Sequence, residues 1–250
     1  MLQAQPSPGT RFYGGSAKIS VWDPFVYRQD DFSDSTLVVQ LNPLGFLKAG
    51  WIVYPERYLD FRPRLYSYFT IDNSTTSRCW DLDCDNGFVQ VNNTYALGSF
   101  ILPVSTIGDE SYYWIDVSIF QDRKTGNWWL SFQNIPIGYW PASLFAALPE
   151  GAEMLNWGGT IYDSLGKGSH TETDMGYGLF PDVGTTDKAS LVCSLYYADD
   201  SNTLQIPDRS NLLMAVSNPL CYNAQIIPVL DPKLGQCFSF GGPGRNPNCP

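Results

Sequence analysis

Short segments rich in β-branched and aromatic residues recur along the whole chain, with turn residues between them. Such segments are typical of β-strands, and we identify about a dozen. They cover residues 17–23, 35–41, 50–54, 64–70, 87–91, 95–102, 112–120, 127–132, 160–164, 189–197, 224–230 and 237–242. The one helix candidate is residues 141–155, which Pro149 and Gly151 should stop early. This pattern predicts an all-β antiparallel sandwich or closed barrel with one short helix.

The length of 250 residues suits one β domain, which we expect to span residues 12–250. Residues 1–11 are polar and contain Pro6, Pro8 and Gly9, so we expect a flexible N-terminal segment. No signal peptide is visible in the sequence, and no apolar run is long enough to predict a membrane span.

The formal net charge is −10 and the isoelectric point is about 4.4. Nucleic acids and anionic membranes attract basic surfaces, so this charge argues against both as partners. An acidic surface is otherwise an ordinary means of staying soluble, and we expect a monomer.

The six cysteines favour three disulfide bonds, which form in oxidising compartments and indicate a secreted, extracellular protein. The glycosylation sequons at Asn73 and Asn92 agree with secretion. His170 is the only histidine, which leaves too few ligands for a mixed Cys/His zinc site. The acidic run that begins at Asp81 lacks the glycine and glutamate of a calcium loop. We therefore predict no metal and no cofactor.

Carboxylate pairs leave an acid hydrolase open as a possibility. A glycosidase or acid peptidase needs one ionised and one protonated carboxyl group, and spacing alone cannot choose the pair. The available carboxyl groups are Glu56, Asp60, Asp83, Glu153, Asp163, Glu172 and Asp174.

The segment "FLKAGWIVYPERY" (residues 46–58) carries a lysine inside an otherwise apolar strand. Side chains in a strand alternate between faces. One face therefore carries Lys48, Gly50, Ile52 and Tyr54.

Several phrases resemble one family when they are read in order. They are "AGWIVYP" at residue 49, "RPRLYSYFT" at 62, "CWDLDC" at 79, "GFVQVNN" at 87, "GNWWL" at 126, "GYWPASLF" at 138, "WGGTIYDS" at 157, "HTETDMGYGLFPD" at 170, "DKASLV" at 187 and "GGPG" at 241. Together they resemble the mature domain of the neprosin family, over about residues 12–244.

The resemblance implies a sandwich of two curved antiparallel sheets, of jelly-roll or concanavalin-like type. By this resemblance, the active members of the family are glutamic peptidases that cut beside proline at acidic pH. The two catalytic glutamates of that family fall at the positions of Lys48 and Thr160. The ligand groove implied by the resemblance is lined by Lys48, Gly50, Ile52, Tyr54, Trp140, Gly158, Thr160 and Tyr162.

The resemblance also bears on the disulfides. Local reach and family likeness pair Cys79 with Cys84, and likeness pairs Cys221 with Cys249. The remaining pair is Cys193 with Cys237.

Neither an ammonium nor a neutral hydroxyl can take a proton from water. Loss of one general base typically lowers the rate about 10²- to 10⁴-fold, so we expect no glutamic-peptidase activity. Three alternatives stay open: Thr160 acts as a nucleophile with Lys48 as base, another carboxylate such as Glu56 has taken over, or Lys48 is a solvated strand-end charge.

The favoured hypothesis is a secreted, non-catalytic pseudo-peptidase whose groove binds a proline-rich peptide or a glycan, in defence or as a toxin or effector. The alternative is an active acid hydrolase that uses relocated catalytic groups.

Overall fold

The structure is a computed structural model that describes residues 1–75, 77–108, 112–166, 169–181, 190–227 and 232–250. The strands are β1 Leu2–Ala4, β2 Gly14–Ser20, β3 Phe32–Gln40, β4 Phe46–Val53, β5 Arg64–Thr70, β6 Arg78–Trp80, β7 Val89–Gln90, β8 Trp114–Gln121, β9 Trp128–Phe132, β10 Ile135–Trp140, β11 Met154–Tyr162, β12 Ser190–Ala198, β13 Leu204–Gln205, β14 Leu212–Met214, β15 Asn223–Ile227 and β16 Cys237–Gly241. Within these ranges, the α-helix α1 spans Pro55–Tyr58, and 3₁₀ turns span Ala142–Phe145 and Arg209–Asn211.

The strands form two antiparallel sheets. The seven-stranded sheet has the order β14-β1-β11-β3-β4-β5-β6. The nine-stranded sheet has the order β15-β16-β12-β2-β8-β9-β10-β7, with β13 paired to β12. This arrangement confirms the predicted β-sandwich, because each sheet has one apolar face that the other covers. Within the described ranges, no helix has the length and apolar character needed to cross a membrane.

The main core lies between the two sheets and is rich in fully buried tryptophans. Trp51 on β4 and Trp157 on β11 belong to it. Their indole N–H groups donate hydrogen bonds to the carbonyl oxygens of Ser20 (2.9 Å) and Ser16 (3.2 Å) on β2. A buried indole needs such a partner, so these bonds also fix how the seven-stranded sheet sits on the nine-stranded one.

The three predicted disulfides are all present. Cys79 bonds Cys84, Cys193 bonds Cys237, and Cys221 bonds Cys249. The second joins neighbouring strands β12 and β16, and the third ties the C-terminal segment back to the fold.

Some local predictions differ from the structure. The helix expected over residues 141–155 is only the 3₁₀ turn Ala142–Phe145, and Met154 already belongs to β11. Gly151, with φ +75°, breaks the chain away from helical geometry, so the helix propensity of the Ala and Leu residues is overridden. Residues 95–102 form no strand beyond an isolated bridge from Phe100 to Arg64.

The N-terminal segment, residues 1–11, differs from the flexible segment that its composition predicts. Its residues 2–4 form β1, paired with both β11 and β14, and Leu2 is fully buried. Two buried apolar side chains, Leu2 and Ala4, and two ladders of hydrogen bonds hold this short strand. The predicted strands at 189–197 and 224–230, and the phrases at 170–182 and 187–192, each lie partly outside the described residues.

Candidate functional site

Three neighbouring strands of the seven-stranded sheet build the site, with β3 between β4 and β11. Their outward-facing residues share one surface because paired residues of antiparallel strands point to the same side. Thr160 on β11 lies opposite Asp34 on β3, and Asp34 lies opposite Ile52 on β4. The face predicted for Lys48, Gly50 and Ile52 is therefore the outer face of this sheet.

Lys48 and Thr160 meet on this face. The Lys48 ammonium Nζ lies 3.2 Å from Thr160 Oγ1 and 2.5 Å from Asp34 Oδ2. Asp34 is fully buried and Lys48 is 9% exposed. The two positions implied by the resemblance are thus side by side, and Asp34, which the sequence analysis did not single out, joins them.

The strand register explains how the lysine reaches the aspartate. Lys48 lies opposite Val38, four positions in the register and about 13 Å along the strands from the Asp34–Ile52 pair, so the lysine and aspartate side chains must both extend along the sheet to meet. The residue in between is Gly50, which leaves that path open. A Cβ on Gly50 would come within 2.1 Å of the Ser35 carbonyl oxygen, so the close approach of β3 and β4 requires glycine here.

Asp34 accepts three hydrogen bonds. Oδ1 accepts from the backbone N–H of Thr160 (3.0 Å), and Oδ2 accepts from the Tyr66 hydroxyl (2.7 Å) as well as from Lys48. Burial, and then the negative charge of Asp34, raise the pKa of Tyr66 well above its usual range. Tyr66 therefore stays a hydrogen-bond donor, and the carboxylate is held by a cation and two neutral donors.

This arrangement bears on the chemistry left open by the sequence. A solvated strand-end charge does not describe Lys48, because its side chain is buried and paired. The ammonium donates to the Thr160 hydroxyl, so it has no lone pair with which to activate that hydroxyl as a nucleophile.

Aromatic rings cover the other end of this face. Phe32 on β3 stacks on Tyr162 of β11, with 5.5 Å between ring centroids, and also contacts Tyr54 and Trp80. Tyr162 is 51% exposed, whereas Ile52 lies fully buried beneath the rings. We call Phe32, Tyr54, Trp80 and Tyr162 the groove aromatics.

Glu56 lies at the margin of the groove aromatics, on α1. It accepts a hydrogen bond from the Tyr54 hydroxyl (3.1 Å). Burial, followed by this bond and the charge of Glu56, raises the pKa of Tyr54 to about 12. The structure thus places Glu56 beyond the end of β4 and in contact with a tyrosine, away from the ion pair.

A cavity of about 570 Å³ adjoins the Thr160 side of the site. Its walls are mainly apolar and include Thr160, Ile161, Met175, Met214, Tyr222 and Phe240. This cavity therefore lies on the β11 side of the site, next to Thr160, and Lys48 is not among the residues that line it.

The structure separates one of the predicted groove residues from the rest. Trp140 on β10 is fully buried in the core between the sheets and packs on Phe88. Strand alternation turns Trp140 inward and its neighbour Tyr139 outward, on the opposite sheet from the groove. Gly158 lies on β11 opposite Thr36, next to Thr160, and Tyr162 follows on the same face.

Several of the other candidate groups have structural partners. The Asp81 carboxylate accepts hydrogen bonds from Arg57, from the Tyr58 hydroxyl (2.6 Å) and from the backbone N–H of Ser67 (2.8 Å). His170 packs edge-on against Tyr222, and its neighbours Cys221 and Cys249 are consumed by their disulfide. Asn73 is exposed, while the Asn92 side chain accepts a bond from the Thr94 N–H.

The fold and site together define an antiparallel β-sandwich with a buried polar cluster on the outer face of one sheet. The family model of neprosin matches residues 29–243, and the chain belongs to the neprosin family. Among solved structures, the fold is similar to that of scytalidoglutamic peptidase, crystallised with a peptide-based transition-state analogue. The identity is 9% and the TM-score 0.51, over 96% of this chain and 95% of that one. That likeness shows a shared fold.

Proposed function

We propose that this chain is a secreted, non-catalytic neprosin-like protein that binds an extended peptide without hydrolysing it. The observation that carries the proposal is the contact set of Lys48, which is buried in an ion pair with Asp34 and donates a hydrogen bond to Thr160, the residue at the other dyad position implied by the resemblance. The three disulfides agree with secretion, where such a protein would act by binding, in defence or as a toxin or effector.

The chemistry follows from the contacts of Asp34. A general base must reach a water molecule with a free lone pair, at about 2.6–3.2 Å. Asp34 is fully buried and already holds an ammonium, a hydroxyl and a backbone N–H. For Asp34 to act as a base, its hydrogen bonds with Lys48, Tyr66 and Thr160 would have to break. The buried ammonium of Lys48 would then lose its carboxylate partner.

The surface around the site suits an extended ligand with rings. Proline rings pack on aromatic side chains, and the exposed face of Tyr162 offers such a surface next to Thr160. The apolar cavity beside Thr160 could hold one further side chain. A proline-rich peptide fits these features. A glycan is the second candidate, because the exposed ring of Tyr162 could equally stack on a sugar.

The catalytic part of the proposal is tested by incubation with a proline-rich peptide from pH 2 to pH 7, followed by mass spectrometry. We expect no fragments. Cleavage that disappears in Thr160→Ala would establish a Lys/Thr mechanism. Cleavage that survives both Lys48→Ala and Thr160→Ala would establish relocated catalytic groups, the alternative acid hydrolase.

The binding part is tested by calorimetric titration of the same peptide, and of neutral oligosaccharides, into wild type and Tyr162→Ala. We expect the peptide affinity to fall about tenfold with loss of the ring. Tyr113→Ala is a matched control, since Tyr113 is 43% exposed and precedes β8 of the other sheet. Equal losses in both variants, or no binding at all, would contradict the proposal.

A further inference from the structure

Three aromatic residues follow one another across three strands of the nine-stranded sheet. Phe120 on β8 lies opposite Trp129 on β9, and Trp129 lies opposite Tyr139 on β10. The rings of Trp129 and Tyr139 are 4.8 Å apart between centroids. We call Phe120, Trp129 and Tyr139 the aromatic row.

The aromatic row faces away from the core. The chain neighbours Ile119, Trp128 and Trp140 are all buried between the sheets, so alternation directs the row outward. Each of its side chains is partly exposed, and none belongs to a hydrophobic cluster formed by the described residues. The row therefore contributes little to the core that holds the fold together.

The row continues onto a bare stretch of backbone at Gly14 of β2, which lies opposite Phe120. A Cβ on Gly14 would meet the Phe120 ring at 2.0 Å, so that ring lies directly over the glycine. The sheet surface is consequently flat at this end, because the Phe120 ring lies against the backbone of Gly14.

A polar row runs beside the aromatic row on the same face. Ser16, Ser118 and Ser131 lie opposite one another on β2, β8 and β9. Tyr196 of β12 lies next to Ser16 at the end of this row. A shallow depression of about 230 Å³ follows, lined among others by Ser16, Lys18, Asp116, Ser118, Asn134 and Tyr196.

We propose that this face of the nine-stranded sheet binds a neutral carbohydrate chain. Sugar rings have apolar faces that stack on aromatic side chains, and their hydroxyl groups need donors and acceptors at the edge of the stack. Neighbouring strands are about 4.8 Å apart, so each successive ring of the row meets roughly one further sugar unit. The adjacent serines, Asn134 and the Lys18–Asp116 pair supply the polar partners.

Charge and size separate this ligand from the other possibilities. Among the described residues, the charged groups that line the depression are Lys18 and Asp116, which pair with each other at 2.9 Å, so the depression adds no net charge to a protein of charge −10. An anionic polymer would find no cationic patch here. A stable protein partner needs about 800 Å² on each side, more than three half-buried rings offer. The proposal stands apart from peptide binding in the groove, since it concerns the opposite sheet.

The test is calorimetric titration of wild-type protein with cellohexaose, laminarihexaose, xylohexaose and N-acetylchitohexaose. We expect one of these to bind, and Trp129→Ala and Tyr139→Ala to weaken that binding about tenfold each. Ser131→Glu is a second variant that keeps every ring and introduces a charge into the polar row, with the same expected loss. Tyr162→Ala, in the groove of the other sheet, should bind the sugar as wild type does.

Three results would overturn the proposal. The first is absence of binding to all four oligosaccharides. The second is binding that Tyr162→Ala abolishes and Trp129→Ala leaves intact, which would place the sugar in the groove. The third is self-association in sedimentation velocity that Trp129→Ala removes, which would make the face a contact between two copies of the chain.

Discussion

Each sheet of the sandwich carries a lysine–aspartate pair that joins two neighbouring strands on its outer face. On the seven-stranded sheet Lys48 pairs with Asp34 at 2.5 Å, and on the nine-stranded sheet Lys18 pairs with Asp116 at 2.9 Å. The side chains of the first pair are 11% and 0% exposed, and those of the second are 28% and 33% exposed. The residue types are the same, and burial is what differs.

Burial changes what each pair does. A buried charge loses its hydration and needs further hydrogen bonds, which Tyr66 and Thr160 provide to Asp34. A partly exposed pair keeps most of its hydration, so salt screens it and either partner can turn to a ligand. The first pair is therefore fixed by its surroundings, whereas the second keeps contact with water.

The largest expected effect is removal of one partner from the buried pair. Lys48→Ala leaves the charge of Asp34 buried without a cation, which typically lowers the free energy of unfolding by about 3–5 kcal/mol. Urea unfolding at pH 7, followed by tryptophan fluorescence, measures this difference. A loss under about 1 kcal/mol would mean that the pair is hydrated in solution, as the exposed pair is.

The matched control removes both charges together. Asp34→Leu with Lys48→Met replaces the pair by apolar side chains, and such replacements are often neutral or stabilising. We expect the double variant to regain most of the stability lost in Lys48→Ala. Equal instability of the single and double variants would show that packing, not charge, is responsible.

Much of the fold could be predicted from local sequence pattern. The segment 64–70 was predicted as a strand and is β5, because its turn-bounded run of β-branched and aromatic residues is a local signal. The helix predicted over residues 141–155 is wrong because long-range contacts override the local signal there. Their Ala and Leu residues favour helix, but the chain turns at Gly151 and β11 gains its stability from pairing with β1 and β3. Such long-range pairing is not visible in a short window.

The candidate site was predicted only in part. Likeness to the neprosin family predicts that Lys48 and Thr160 share one site, and in the structure their side chains are 3.2 Å apart. Asp34 was missed because the predicted strand began at residue 35, one position after it. By strand alternation, Asp34 lies on the same face as Thr36 and Val38, and this pattern could have indicated a polar residue at the site. The contact with Tyr66 depends on the order of strands in the sheet, which the sequence does not state.

Asp174 is a half-buried carboxylate without a cation and offers a second comparison. The described residues form no ion pair with it, and burial raises its pKa from 3.8 to about 6. The folded state thus binds a proton that the unfolded state releases between about pH 4 and pH 6. Stability contributed by this group is full below pH 4 and is lost as the pH rises through 6.

Asp174→Asn removes this titration. We compare the free energy of unfolding of the variant with that of wild type at each pH. Between pH 4 and pH 7 this difference should shift by about 1 kcal/mol in favour of the variant, a figure reduced because Asp174 is partly solvated. Urea unfolding of both proteins at pH 4, 5, 6 and 7 measures the difference. A constant gap across this range would show that Asp174 is ionised in the folded protein, as a paired carboxylate would be.

The smallest expected effect belongs to the exposed pair. Lys18→Ala should change the free energy of unfolding by only about 0.2–1 kcal/mol, because water and salt compensate both charges. A double-mutant cycle with Asp116→Ala at 0.05 M and 1 M NaCl measures the coupling between the two groups, and we expect most of it to vanish at the higher salt. A salt-independent coupling of several kcal/mol would mean that water does not reach this pair. The face around it would then resemble the ion pair of the other sheet, and Lys18 and Asp116 would not be available to a ligand.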